Sequence, residues 1–544
     1  MRDGHSTSSG EPKRVLVIGG GISGLVAAFE LSEVDDIDVT VIEASQECGG
    51  KMRGRFNPAT QRFEEHSIRS LSSTYFSLFD VFHRANILDR LSPVDEYLFY
   101  RKADGARVAL NRSKDVDFFS IAELVRTFDL STPDMLNLGK SILHHVNASE
   151  DERAELTHRA AGDVIGIDGF DQKTQQFIVN WFGILTGARM HSKAVDILDS
   201  FLLMFMPTSA SPQLPPGETS KSYCFNRPTS EVVDAFVACL ELRGVKILTH
   251  TSLASLNVTS DGIAVAAGGS QLPHAVFDAV VMAVPHEVIW QHGLIDSPNP
   301  FKDEWSFGSQ FPMQTLPENL KPFAGRSYNL CFDAPWNIVF QLQHNESFWR
   351  DVNFPAEARF NLSATCSSPH NKGALFLKPF EQCTPQEALH EVLFQLGVTD
   401  EAERCHLVTT GVVDPIYYEF TDEWSRYENL ASVEMGAVHD DGRRWISKSQ
   451  IYVRSSDDPD VGPKTVLSGV FLAGELVTVQ TMWKIPTMEQ AAASGKQAAQ
   501  HVLDYLGLPV SVNLSAAHVN HQLRAKIGEA LVGALSIVAN AGKT

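Results

Sequence analysis

Cysteine is sparse and scattered in this chain of 544 residues: seven in all, with no C-x-x-C pair. Cys48, Cys224, Cys239, Cys331, Cys366, Cys383 and Cys405 suggest no disulfide framework, so a reducing compartment is favoured and a cytoplasmic location expected. Metal-ligand spacing is missing as well. His144 and His145 are adjacent and no H-x-x-x-H pair accompanies them, so no metal site is expected. No apolar run reaches the roughly 18 residues that a membrane-spanning helix needs. Basic residues are too few to offer a face to nucleic acid, since 45 Lys and Arg stand against 66 Asp and Glu for a net charge of −21. Repeats and low-complexity segments are absent too, and residues 1–12 are expected to be a disordered tail rather than a secretory signal.

What is present is an ordinary globular composition, 43% hydrophobic and 20% charged. The length predicts about two to four domains or lobes. Its first informative stretch is "KRVLVIGGGISGLVAAFELS", an apolar strand that runs through glycines into a helix. Gly19, Gly21 and Gly24 stand in G-x-G-x-x-G register. Gly19 permits the tight turn, Gly21 lets the backbone approach a pyrophosphate, and Gly24 lets helix pack on strand, with the helix N-terminus facing the anion. The next strand, "DVTVIEA", ends at Glu43, where a carboxylate can accept hydrogen bonds from adenosine ribose hydroxyls. An acid there argues against a 2′-phosphate.

After residue 75 the pattern changes. Apolar residues recur at helical spacing to about Pro207, predicting a mostly helical insertion, and "SASPQLPPGETS" then breaks the chain. "GVKILTHTSLASL" and "AVVMAVP" read as later strands of a doubly wound sheet. A loop-rich stretch follows, and then "NIVFQLQ", "ARFNLSATC" and "GALFLKPF" read as strands of a second sheet. The chain returns at "GVFLAGE", an apolar strand followed by a short loop and a helix from near Thr487. The expected organisation is therefore an α/β, doubly wound Rossmann-type domain assembled from residues 13–75, 215–290 and 445–510. An α+β substrate domain with a helical insertion would use 76–214 and 291–444, and 511–544 an amphipathic helix. That helix suits docking on its own protein or a twin subunit, with a membrane surface as the alternative.

Three features select FAD over NAD. The sheet is completed some four hundred residues after it begins, whereas a simple NAD domain continues strand by strand. A second glycine pair, Gly49 and Gly50, allows another close backbone approach, and Lys51 and Arg53 beside it can neutralise pyrophosphate charge. Finally, Glu475 can bond a ribityl hydroxyl, and amides near Thr487 and Met488 can face N1 and O2 of the isoalloxazine, where negative charge gathers on reduction.

These segments, with "VIEASQECGGKM" and "TMEQAAASGKQAA", resemble the flavin-containing amine oxidoreductase superfamily, nearest its phytoene-desaturase-like branch. The resemblance implies FAD held by Gly19, Gly21, Ser23, Gly24, Glu43, Ala44, Gly50, Lys51 and Met52. It also implies that the Leu253 backbone meets the adenine, and that Gly474, Glu475, Thr487 and Met488 hold the flavin end. "EEHSIRSLSSTYFSLFDVF" is similar to a desaturase segment passing beside the flavin, although Glu65 and Ser67 flank His66 where a glycine is usual. The full aromatic cage and lysine of amine oxidases have no match in pattern.

Flavin carries out hydride transfer itself, so few catalytic side chains are required. The expected reaction is FAD-dependent removal of hydride from a largely apolar small molecule, with His66, Arg69, Tyr75, Trp483 and Lys484 as candidate pocket residues. Arg69 either holds a carboxylate or pairs with Glu64 or Glu65. Trp483 and Lys484 are either functional or a packed indole and a solvated ammonium. Amine or amino-acid oxidation and redox-neutral isomerisation are the alternative reactions, and a binding scaffold without catalysis is the alternative class. Partners are a small-molecule substrate, with membrane contact and self-association left open.

Overall fold

The computed structural model describes residues 11–57, 62–64, 69–94, 96–111, 118–186, 189–205, 210–214, 222–296, 304–313, 315–325, 327–344, 359–406, 448–451, 454–479, 481, 483–514 and 532. His66 and the expected C-terminal amphipathic helix 511–544, apart from residues 511–514, which are not helical, and Val532, lie outside the described residues.

The run Lys13–Ile18 forms β1, and its alternation places Val15 and Val17 on one face and Leu16 and Ile18 on the other, all buried. A strand hidden on both faces must be parallel and covered by layers on each side. It is. The five-stranded parallel sheet runs β3 (Lys246–Leu248), β2 (Ile37–Ile42), β1, β4 (Ala279–Met282), β5 (Val470–Leu472). Leu16 stands opposite Thr40 on one side and Val280 on the other, and Val280 in turn opposite Val470. Helix α1 (Ile22–Leu31) is buried along its whole length against one face. The antiparallel sheet Ser252–Thr259, Gly262–Gly268 and Val276–Phe277 covers the other face through Ile263, Val265 and Phe277.

Two further helices complete the layer. α2 (Phe76–Arg84) and α3 (Met488–Tyr505) lie beside α1, and α3 approaches it closely because Gly495 offers no side chain. A Cβ built there would sit 2.3 Å from the Ser23 carbonyl oxygen. This is the α/β Rossmann-type architecture expected, with β5 arriving from the far end of the chain.

The second sheet has seven strands, ordered Lys448–Ile451, Glu304–Met313, Phe360–Cys366, Ile338–His344, Ser327–Cys331, Glu96–Arg101, Ala106–Asn111. Three differences from the sequence reading have physical causes. Glu96–Arg101 and Ala106–Asn111 interrupt the stretch expected to be helical. Tyr97 and Phe99 enter one core and Leu98 and Tyr100 the other, so a two-sided strand shows no alternation of apolar and polar residues. The expected loop around residue 304 contains the ten-residue strand Glu304–Met313, whose partners, Phe360–Cys366 and Lys448–Ile451, are remote in sequence. "GALFLKPF" is not a strand. The backbone N–H groups of Ala374, Leu375 and Phe376 donate instead to the Glu391 carboxylate, at 2.6–3.0 Å.

Candidate active site

A Cβ added to each glycine of the first turn distinguishes their roles. At Gly19 it would meet the Ala283 carbonyl oxygen at 2.2 Å, and at Gly24 the Gly19 carbonyl oxygen at 2.0 Å. At Gly21 it would meet nothing within 4 Å. The outer glycines therefore serve the protein's own packing, while Gly21 borders open space at the N-terminus of α1. No side chain caps that terminus, leaving its first-turn amides to an anion.

The second glycine turn closes on the first. The Gly49 amide donates to the Gly20 carbonyl oxygen at 2.7 Å, and Gly50, at φ +51°, stands against the Gly21 backbone. Glu43 fixes the junction: its carboxylate accepts from the Gly20 amide at 2.7 Å and from the Ser45 amide and hydroxyl at 2.8 Å each. Thr251 donates its amide to the Glu43 carbonyl oxygen at 2.9 Å, which brings the half-buried Leu253, two residues on, to the same end as Glu43 and Ala44. Arg53 differs from expectation. It binds Glu47, Asp234 and the Cys48 carbonyl oxygen, anchoring the turn rather than facing the cradle.

The distant segment meets this turn. Gly474 lies with its Cα direction toward Ser23, whose hydroxyl oxygen would be 3.7 Å from an added Cβ, and the Gly474 amide donates to Ser494. Glu475 forms an ion pair with Lys51 across 424 positions of sequence. Thr487 caps α3 by accepting from the Gln490 amide, and the half-buried Met488 opens the helix. Gln490, absent from the sequence reading, donates to the Gly474 and Val477 carbonyl oxygens at 3.0 and 2.9 Å and so ties loop to helix. An uncapped helix start, two close glycine turns and a helix cap brought beside Glu475 fit FAD, with Met52 buried behind the turn.

Two candidate pocket residues come together. The Trp483 ring meets Tyr75 edge to face, centroids 5.0 Å apart, and its indole N–H donates to the Thr74 hydroxyl at 3.0 Å. Arg69 is placed elsewhere: its guanidinium donates to the Lys51 carbonyl oxygen at 2.8 Å and bolsters the second glycine turn. Lys484 is half-buried, and its carbonyl oxygen accepts from Arg454, which also binds Asp196 and Thr478. Asp199, on the helix Ala194–Phe205 that also carries Asp196, accepts from His145 at 2.8 Å and from Arg153 at 2.5 Å. Burial alone would raise its carboxyl; the His145 hydrogen bond and the Arg153 charge instead hold it well below the usual range. Asp196 is pushed up by burial despite Arg454. Glu489, in the first turn of α3, is pushed up to about 7 by burial, against the amides of Ser77 and Leu78 that donate to it at 2.9 Å. Arg454, Thr74 and Glu489 are legible only in three dimensions, since each acts through a partner remote in sequence.

A parallel α/β sheet whose glycine turns and returning helix meet in this way defines a Rossmann-type dinucleotide-binding fold. A family model for flavin containing amine oxidoreductase matches residues 22–311, more than half the chain, and the chain belongs to that family. It is 36% identical over 78 residues to the carotenoid phi-ring synthase of Chlorobaculum tepidum, covering 14% of this chain and 12% of that one. With the L-amino acid oxidase of Bothrops pictus identity is 46% over 52 residues, 10% of each chain, so the matches span only about a tenth of these relatives' length. In fold, the putative protoporphyrinogen oxidase of Exiguobacterium sp. superposes with a TM-score of 0.53 at 16% identity, covering 92% of this chain and 100% of that one. No helix among the described residues is long and apolar enough to cross a membrane.

Proposed function

We propose that the protein removes hydride from a largely apolar small molecule, using bound FAD as the acceptor. FAD, when bound, supplies the hydride chemistry, and the chain's part is to orient, exclude water and set the local field. Residues of both glycine turns, Glu43 and Leu253 would hold the adenosine half; Gly474, Glu475, Thr487 and Met488 would hold the ring end. The amide end of α3 would favour negative charge gathering there.

The observation that carries this reading is the contact between Tyr75 and Trp483. Both rings are buried, and each comes from a segment adjoining the cradle. Rings already touching edge to face leave no gap between them to enclose an amine, so they form an apolar wall instead. The carotenoid named for one relative is in keeping with an apolar substrate. In this reading Arg69 holds the second glycine turn through the Lys51 carbonyl oxygen, Lys484 is itself held through its carbonyl oxygen by Arg454 next to Trp483, and His66 remains a proposed pocket residue on sequence alone.

Anaerobic mixing of the purified flavoprotein with three sets of compounds tests the proposal: polyenes and cyclic alkenes, primary amines, and L-amino acids. Bleaching of the visible flavin band by the apolar set, with a product lighter by two hydrogens, is expected. Bleaching by amines or amino acids alone, or a product of unchanged mass, would overturn it.

A further inference from the structure

The seven-stranded sheet carries two unlike faces. In Ile338–His344 and Phe360–Cys366 one face presents Ile338, Phe340, Leu342, Leu362, Ala364 and Cys366, all fully buried in an apolar core. Alternation puts Gln341, Gln343, Asn361 and Ser363 on the other face, and these too are buried, at 1%, 6%, 2% and 1% exposure. Gln341 stands opposite Ser363, and Gln343 opposite Asn361. Apolar side chains of similar volume would fill such a layer at lower cost, because each buried amide needs partners for two donors and an acceptor.

The amides form a directed relay. Asn361 Nδ2 donates to Gln343 Oε1 at 2.9 Å, and Gln343 Nε2 donates to Gln341 Oε1 at 3.3 Å. The relay ends on Gln341 Nε2, a buried donor with no partner among the described residues. Leaving such a donor unpaired is expensive for a fold, and the arrangement suits a group that acquires its acceptor from outside.

The relay runs toward the cradle. Register on the neighbouring strand pairs Leu330 with Val339, so Tyr328, two residues before Leu330, shares the face of Gln341. Tyr328 donates its hydroxyl to the Arg69 carbonyl oxygen at 2.8 Å, and Arg69 holds the second glycine turn. The Tyr328 ring packs on Tyr97 with centroids 5.3 Å apart, and the Tyr97 hydroxyl lies 3.0 Å from Ser70 Oγ. The sheet face carrying the amides is thereby continuous with the strap, Arg69 to Tyr75, that leads to the aromatic wall.

We propose that Gln341 determines specificity: its terminal amide donates to a carbonyl oxygen at one end of an otherwise apolar substrate, with Gln343 and Asn361 as positioning residues that orient it. The inference rests on the reading of an apolar substrate under "Proposed function" and narrows it to carbonyl-bearing compounds. The relay accounts for the row, since the Gln343 and Gln341 carbonyl oxygens are both used within it and the terminal Gln341 N–H₂ is left for a ligand.

The test uses the full-length FAD-bound protein, with 2-octanone and n-octane as probes and perturbation of the visible flavin spectrum as the readout. Wild type should bind the ketone about threefold to tenfold more tightly than the hydrocarbon, the range set by one neutral hydrogen bond. Gln341→Leu should abolish that preference while retaining octane binding and flavin content. Gln343→Leu should reduce it, and the ratio of the two affinities separates recognition from a general loss of stability. Equal binding of both probes by wild type, as expected if the donor holds only water, would overturn the inference. So would a ketone preference that survives Gln341→Leu, or binding of neither probe. Failure of the parent reading is seen separately, as bleaching by amines alone.

Discussion

Gly21 is the residue where sequence and geometry meet most closely. A side chain there would enter open space rather than protein, so its only cost falls on a ligand. Gly21→Val is expected to fold with a near-normal melting temperature yet bind no FAD, whereas Gly24→Val, directed at the Gly19 carbonyl oxygen, should lose stability by roughly 1–3 kcal/mol. Thermal melts beside flavin absorbance distinguish the two. The glycine register was legible because each position obeys a local steric rule. Arg69 was not: its two sequence readings, a carboxylate ligand or a partner of Glu64 or Glu65, both concern charge, and neither foresaw that its guanidinium also donates to the Lys51 carbonyl oxygen. Glu489 was equally hidden, since its partners lie more than four hundred positions away. Its carboxyl titrates near 7, above its ordinary 4.5, because burial opposes the charge. A raised carboxyl contributes stability that is complete below about 4.5 and lost as pH rises through 7. Relative to wild type, Glu489→Gln should therefore gain stability between pH 5 and 8, by up to roughly 3 kcal/mol, as measured by denaturant melts across that range. A constant difference across that range would contradict the assignment.

At the scale of elements, α1 and α3 determine whether the cradle closes. Their contact depends on Gly495, and a methyl group there would be driven into the Ser23 carbonyl. Gly495→Ala is expected to separate the helices, lowering stability by about 1–3 kcal/mol and weakening FAD as well, because Ser23 and Gly474 share that contact. Unchanged FAD affinity, measured by flavin fluorescence, would show the contact to be structural alone. The parallel strands and α1 could be read from sequence since strand, turn and helix follow in order. Strands of the second sheet were harder. Glu96–Arg101 is apolar on both faces, and Glu304–Met313 finds its partners far along the chain. "GALFLKPF" has the composition of a strand but satisfies its amides on the Glu391 carboxylate, a choice no local pattern reveals.

For the whole molecule, the account depends on assembly over distance. β5 enters the sheet beside β4, the Ala473 amide donates to the Met282 carbonyl oxygen at 2.9 Å, and Gly474 then arrives at Ser23. The Lys51–Glu475 ion pair spans the seam, half-exposed, so it adds little to stability and more to alignment. Glu475→Gln should leave the folding stability within about 1 kcal/mol of wild type and loosen FAD. The split sheet and the family were legible because glycine turns mark both ends of the cradle. The substrate was not, for the wall proposed for it, Tyr75, Trp483 and the buried amides, consists of residue types that on sequence alone look like ordinary core. The most direct measurement is titration of FAD into flavin-free protein, followed by flavin fluorescence. Saturation at one FAD per chain, lost in Gly21→Val and weakened in Glu475→Gln, is the expected result. A chain that takes up no FAD, or one whose affinity ignores both substitutions, would contradict a cradle shared between the two ends of the polypeptide.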